Sequence, residues 1–123
     1  MTLTFEVPMP PPELSPNGRP HWYVKAEATR EYGAAVFYAA VDARNRAGAK
    51  NWTNLPHVHV ALTFVFPVRR RRDEDNLRAR WKAGYDAIVR AGIAVDDDME
   101  HMTRSVYARY EKGLSKVEVS IEA

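Results

Sequence analysis

Two different periods of hydrophobic and polar residues run along this chain, and the switches between them mark its elements. From Thr2 to Val7 the apolar residues Leu3, Phe5 and Val7 take every second position, the period of a strand with one buried face. Six of the eight prolines then fall between Pro8 and Pro20. Proline fixes φ and has no amide donor, so this stretch predicts an extended loop. Over Lys25–Ala47 the period becomes helical, with Tyr32, Val36, Ala39, Ala40 and Ala43 on one stripe. The alanines favour the helix, Gly33 weakens it by about 1 kcal/mol against alanine, and Gly48 is the expected stop. Arg30, Arg44, Arg46 and Lys50 read as a solvated face.

Asn51–Asn54 reads as loop. His57–Phe66 is the clearest strand, apolar on both faces beyond Ala61, which predicts an interior place in the sheet. Pro67 ends it. Asp75–Ala91 predicts one continuous second helix. Its stripe is Leu77, Trp81, Gly84, Tyr85 and Ile88, with Trp81 and Tyr85 read as core and Gly92 as the C-terminal cap. Thr103–Tyr110 and Lys116–Ile121 predict two strands joined as a hairpin around Glu111-Lys112-Gly113. In the last strand Val117, Val119 and Ile121 face inward. The order β-α-β-α-β-β predicts an α+β domain over residues 1–123, one mixed β-sheet of about four strands packed with two helices.

Composition narrows the class. A chain of 123 residues, 46% hydrophobic, with thirteen aromatics, is a globular chain of one domain. There is no cysteine, which excludes disulfides and thiolate metal sites and fits a cytoplasmic location. No signal peptide is read at the N-terminus, and no apolar run reaches membrane-spanning length. The net charge of +2 says little about partners, because charged patches matter more than totals for nucleic-acid binding.

The patches lie together. Arg69, Arg70, Arg71 and Arg72 run directly into Asp73-Glu74-Asp75, and Asp96-Asp97-Asp98 follows the second helix. Alone, each acidic cluster is explained by a helix cap or a turn. Together, clustered carboxylates suit a hard divalent cation, and an arginine run beside them suits a polyanion. That combination points to metal-dependent chemistry on phosphodiesters. His57 and His59 share a strand face, but no third ligand stands near in sequence, and they read as ordinary surface histidines.

The same stretch carries a resemblance. Arg-Arg-Arg-Arg-Asp-Glu-Asp-Asn-Leu from Arg69, Lys82-Ala83-Gly84-Tyr85-Asp86-Ala87-Ile88, Ala91-Gly92 and Asp96-Asp97 resemble the RusA-type Holliday-junction resolvases. Pro10-Pro11-Pro12 followed by Asn17 is similar to that family's N-terminal opening, where Asn17 and Arg19 become candidate DNA or structural contacts. The resemblance implies a RusA-like endonuclease that resolves four-way DNA junctions in recombination and repair. It would act as a homodimer on branched DNA, with Mg²⁺ as cofactor and Mn²⁺ as a substitute, and without a membrane. A cytoplasmic, DNA-associated and prophage-encoded setting goes with it.

Carried over by position, Asp73 and Asp75 match the family's Asp-x-Asp and Asp97 the second aspartate of its Asp-Asp pair. These three would hold the metal and be catalytic. Asp96 and Asp98 read as turn formers or as groups behind the ligands, and Glu74 points away from its neighbours. The family's catalytic lysine falls on Ala79 here; Lys82, seven residues past Asp75, lies on the same helical face and would take its charge-stabilising role, with Arg78 a weaker substitute. Arg69, Arg70, Arg71 and Arg72 would contact DNA phosphates. Two other readings stand beside this one: a nuclease on other branched or single-stranded DNA, and a non-catalytic DNA-binding protein that keeps the fold.

Overall fold

A computed structural model describes all residues 1–123. Four strands form one mixed sheet: β1 (Thr2–Pro8), β2 (Val58–Phe66), β3 (Met102–Tyr110) and β4 (Lys116–Glu122). Three helices accompany them: α1 (Trp22–Ala47), α2 (Glu74–Arg80) and α3 (Lys82–Arg90). The α+β class and the four-strand mixed sheet agree with the sequence pattern. No helix is long and apolar enough to cross a membrane.

The strand order is β1-β4-β2-β3, with β4 antiparallel to both neighbours and β2 parallel to β3. The predicted hairpin is therefore wrong. β3 and β4 are consecutive in sequence, yet β2 lies between them. The turn at Glu111 carries the chain over the end of β2, where Glu111 N–H donates to the Phe66 carbonyl at 2.9 Å. Period-two patterning identifies strands but does not choose their partners. Here the apolar residues of β4 are buried only by inserting between two strands that already present matching faces.

β2 is interior, as expected; one face is covered throughout, and the other only at its end, where Val65 is fully buried. Val58, Val60, Leu62 and Phe64 are fully buried under the helices, whereas His59, Ala61 and Thr63 on the other face are half-buried. His59 ties β2 to β3, and His57 ties the segments that lead into them. His59 bonds the Thr103 and Ser105 hydroxyls at 2.7 and 2.9 Å, and His57 Nδ1 lies 3.1 Å from the Glu100 carbonyl.

α1 begins at Trp22 and not at Lys25, because His21 caps it by accepting from Tyr23 N–H. It buries Tyr32, Val36 and Ala40 as its stripe requires. The predicted second helix is in fact two, α2 and α3, broken at Trp81 (φ −100, ψ 14). Trp81 N–H donates back to Arg78 at 3.3 Å, one residue short of helical spacing. The cause is the indole. It is fully buried, donates from Nε1 to the Tyr32 hydroxyl at 2.9 Å, and lies over Gly84, where a Cβ would come within 2.5 Å of the ring. Tyr32 in turn donates to the Pro8 carbonyl at 2.7 Å, so one buried chain of bonds links the helix break to the end of β1. The stripe itself survives the break: Leu77, Trp81, Gly84, Tyr85 and Ile88 are all buried.

Candidate active site

Two segments converge on one cleft. The first is the start of α2. Asp73 caps this helix, its Oδ1 accepting from Asp75 N–H at 2.9 Å. That leaves the Asp75 carboxylate without a hydrogen bond or ion pair of its own.

The second segment follows α3, and several bonds fix it. Gly92 adopts φ +79, which glycine allows freely, and turns the chain back toward β2. Asn54 and Leu55 N–H then donate to the Gly92 and Ile93 carbonyls at 2.6 and 2.8 Å, and Val95 N–H returns to Leu55 at 3.2 Å. Beyond it, Asp98 Oδ1 accepts from Glu100 N–H, His101 N–H and His101 Nδ1, closing a turn. The nearby imidazole holds the Asp98 carboxyl below its ordinary range, and Asp98 raises His101 in return. Arg104 on β3 donates from Nη2 to the Asp97 carbonyl at 2.6 Å. Asp97 is thus held through its backbone, and its carboxylate is left for the cleft.

The cleft, of about 350 Å³, is lined by Asp75, Arg78, Lys82, Tyr85, Asp97 and Arg104, with Ala79 completing the wall. Three of the four residues expected to be catalytic, Asp75, Asp97 and Lys82, therefore meet in one place. Ala79 and Lys82 line the same cleft despite the helix break between them. Lys82 Nζ lies 3.7 Å from Asp86 Oδ1 and 4.0 Å from Asp97 Oδ2, with its side chain 75% exposed. These are loose pairs, worth little in water, so the ammonium is available to an entering anion.

Asp73 does not line this cleft. It faces a shallow hollow with Arg71, Arg72 and Glu74. Glu74 pairs with Arg78 at 2.9 Å. The group of three potential ligands whose donor atoms come within 4.8 Å of one another is a different one: Asp96, Asp98 and His101. One oxygen of each of its carboxylates is already engaged. Asp96 Oδ1 accepts from Asp97 N–H at 2.7 Å, and Asp98 Oδ1 takes the three bonds of its turn. These residues build the loop that presents Asp97.

The donor set of the cleft does fit a divalent metal. Two carboxylates from different segments, that of Asp75 without any partner, offer the hard oxygen ligands such an ion takes.

The arginine run divides into two kinds. Arg72 stacks on Phe66 with its guanidinium carbon 3.8 Å from the ring centroid, and Arg69 stacks on Tyr110 at 4.6 Å. The Tyr110 hydroxyl also donates to the Arg70 carbonyl at 2.6 Å, anchoring the run over the ends of β2 and β3. Arg70 and Arg71 are exposed and have no side-chain partner. If the run contacts DNA phosphates, as the sequence leads one to expect, these two carry the salt-dependent affinity. Changing both to alanine should weaken binding to all DNA sequences alike and reduce the log–log salt slope by about 0.9 for each lost phosphate contact. A titration of affinity against salt measures this; an unchanged slope would show that the run is merely solvated.

Sequence reasoning missed two cleft residues. Tyr85 is core at 3% exposure, as its stripe predicts, yet it also lines the cleft. Arg104 had a usable signal. It stands between Met102 and Val106 on the inward face of β3, where an apolar residue is the rule.

No family model matches the chain. It is 36% identical over 99 residues to an uncharacterized protein of Xylella fastidiosa (strain Temecula1 / ATCC 700964), a match that takes in 76% of this chain. The chain covers 60% of that relative's length.

Proposed function

We propose that this protein is a Mg²⁺-dependent endodeoxyribonuclease that resolves four-way DNA junctions, with a RusA-like fold and mechanism. The observation that carries the reading is the meeting of Asp75, Asp97 and Lys82 in one cleft from segments more than twenty residues apart. A cap and a turn would each be local, and neither explains why two carboxylates and an ammonium share a cavity.

Asp75 and Asp97 would hold the ion; Asp73, which caps α2 and faces another hollow, lies outside the cleft. A bound Mg²⁺ supplies Lewis-acid chemistry, drawing charge from the phosphate and acidifying water. The protein's own residues supply the rest. Lys82 meets charge that builds on the phosphate during attack. The exposed Arg70 and Arg71 hold the backbone of the DNA near the cleft. The bonded loop through Asp98 and Arg104 keeps Asp97 in place while substrates enter and leave.

Lys82→Ala is expected to lower turnover by about 10- to 100-fold and leave DNA affinity nearly unchanged, because an ammonium aimed at developing charge favours the transition state over the ground state. Single-turnover cleavage beside a binding isotherm separates the two effects. A fully active Lys82→Ala protein would remove Lys82 from the site.

A junction presents two strands to be cut symmetrically, so the working form is a two-fold homodimer carrying two copies of the cleft. Light scattering at micromolar concentration measures the mass. The deciding experiment is cleavage of a mobile four-way junction with Mg²⁺, run beside flaps, matched duplex and single strands. Preference for the junction supports resolution. Equal or better cutting of flaps or single strands replaces it with the broader branched-DNA reading, and no cutting of any DNA defeats the enzyme.

A further inference from the structure

Behind its carboxylates and its lysine, the cleft has a wall of donors that nothing in the protein satisfies. Tyr85 is 3% exposed, yet its hydroxyl makes no hydrogen bond. Arg104 Nε is buried and unpaired as well. Buried polar groups in native proteins are nearly always paired; unpaired Nε atoms also occur at Arg44, Arg72 and Arg80, but three unpaired donors, Arg78 Nε with these two, line this one cleft and call for a partner from outside.

Both groups are fixed in place. The Tyr85 ring packs edge-on against Trp81, centroids 4.9 Å apart. The Arg104 guanidinium lies 4.5 Å from the centre of the same Tyr85 ring, while its Nη2 bonds the Asp97 carbonyl at 2.6 Å. Burial pushes the Tyr85 phenol up to about 12, so it keeps its proton at neutral pH and acts as a donor. The guanidinium is a donor at any pH. Two rigid donors select an anionic oxygen. Arg78, Lys82 and Arg104 stand against the two carboxylates in the same cleft, a mixed lining that suits a phosphodiester accompanied by a divalent metal.

We propose that the Tyr85 hydroxyl and the Arg104 Nε–H bind non-bridging oxygens of the phosphodiester drawn into the cleft, forming its phosphate pocket beside Asp75 and Asp97. This rests on the nuclease reading and assigns it two substrate contacts. Arg104 has a second role: it positions Asp97 through the backbone, so binding the phosphate and presenting the carboxylate are linked in one side chain.

Tyr85→Phe removes one oxygen and nothing else, which makes it the test. In the free protein it deletes an unsatisfied hydroxyl, so the melting temperature should stay the same or rise. With DNA it deletes a hydrogen bond to a charged group, so affinity should fall by roughly tenfold. Binding of a four-way junction is measured by fluorescence anisotropy at fixed salt, with Ca²⁺ replacing Mg²⁺ to hold the DNA uncut. Wild-type cleavage with Mg²⁺ is run alongside. Weaker binding with an unchanged or higher melting temperature supports the pocket. If the wild type cuts DNA and Tyr85→Phe binds as tightly, the pocket is wrong and the nuclease stands. Weaker binding with a lower melting temperature also overturns the pocket, because it marks the hydroxyl as structural. A wild type that neither binds nor cuts DNA defeats the nuclease and the pocket together.

Discussion

Asp75→Asn and Asp97→Asn should each abolish cleavage, by about a thousandfold or more, while the protein stays folded and still binds DNA. The size follows from losing a hard ligand that supports several kcal/mol of metal-assisted stabilisation, at about 1.4 kcal/mol per factor of ten. The fold should tolerate both changes. Asp73, not Asp75, caps α2, and the Asp75 carboxylate accepts no hydrogen bond. Asp97 is held by its carbonyl and by the Asp98 turn, none of which an amide side chain disturbs. Removing a negative charge near the phosphates leaves binding equal or tighter. The double variant should be no worse than either single one, since ligands that act as a unit are not additive. Asp73→Asn makes the informative contrast. Asparagine caps as well as aspartate, so any loss of activity there reports a ligand and not a broken helix. Thermal melts, gel shifts without metal and cleavage with Mg²⁺ on each variant check all of this. Substantial cleavage by Asp97→Asn would end the metal-site reading.

Trp81→Ala should have the largest effect on stability, costing about 3–5 kcal/mol. The residue is fully buried between α2 and α3, and its loss leaves a large cavity and removes the donor to the Tyr32 hydroxyl, which keeps only its bond to the Pro8 carbonyl. In a domain of ordinary marginal stability this consumes much of the total. Trp81→Phe should be milder, keeping most of the apolar volume and losing chiefly the indole N–H bond, about 1 kcal/mol. Urea denaturation gives both values. If Trp81→Ala melts like the wild type, the break between the helices is not held by the indole. The position also bears on chemistry, because Asp75 precedes the break and Lys82 follows it.

Much of this was legible in the sequence, for reasons that are physical. Strand and helix faces are local, so Leu3, Phe5 and Val7, or Leu77 and Ile88, declare their burial within a few residues. The meeting of Asp75 with Asp97 was not local, and what pointed to it was a resemblance in order and spacing. What could not be read depended on contacts across the fold. The break at Trp81 needs Tyr32 from another helix. The place of β4 depends on β1 and β2 together, which no turn signal at Gly113 encodes. The Tyr85 hydroxyl looks like any core tyrosine until its surroundings show that nothing bonds it.

The strand order has a further consequence, for the timing of folding. β1 pairs with β4 alone, Thr2 opposite Glu122 and Val7 opposite Val117. On the ribosome, β1 emerges well before β4 and must therefore wait for residues 116–122 before it has a partner. Until then its apolar face and its hydrogen-bonding edges stay open, and β2 too lacks one neighbour. Such long-range closure slows folding into the range of milliseconds to seconds and leaves the nascent chain open to association with its neighbours. A chain stalled before residue 116 should bind chaperones, and release past residue 122 should let the sheet close.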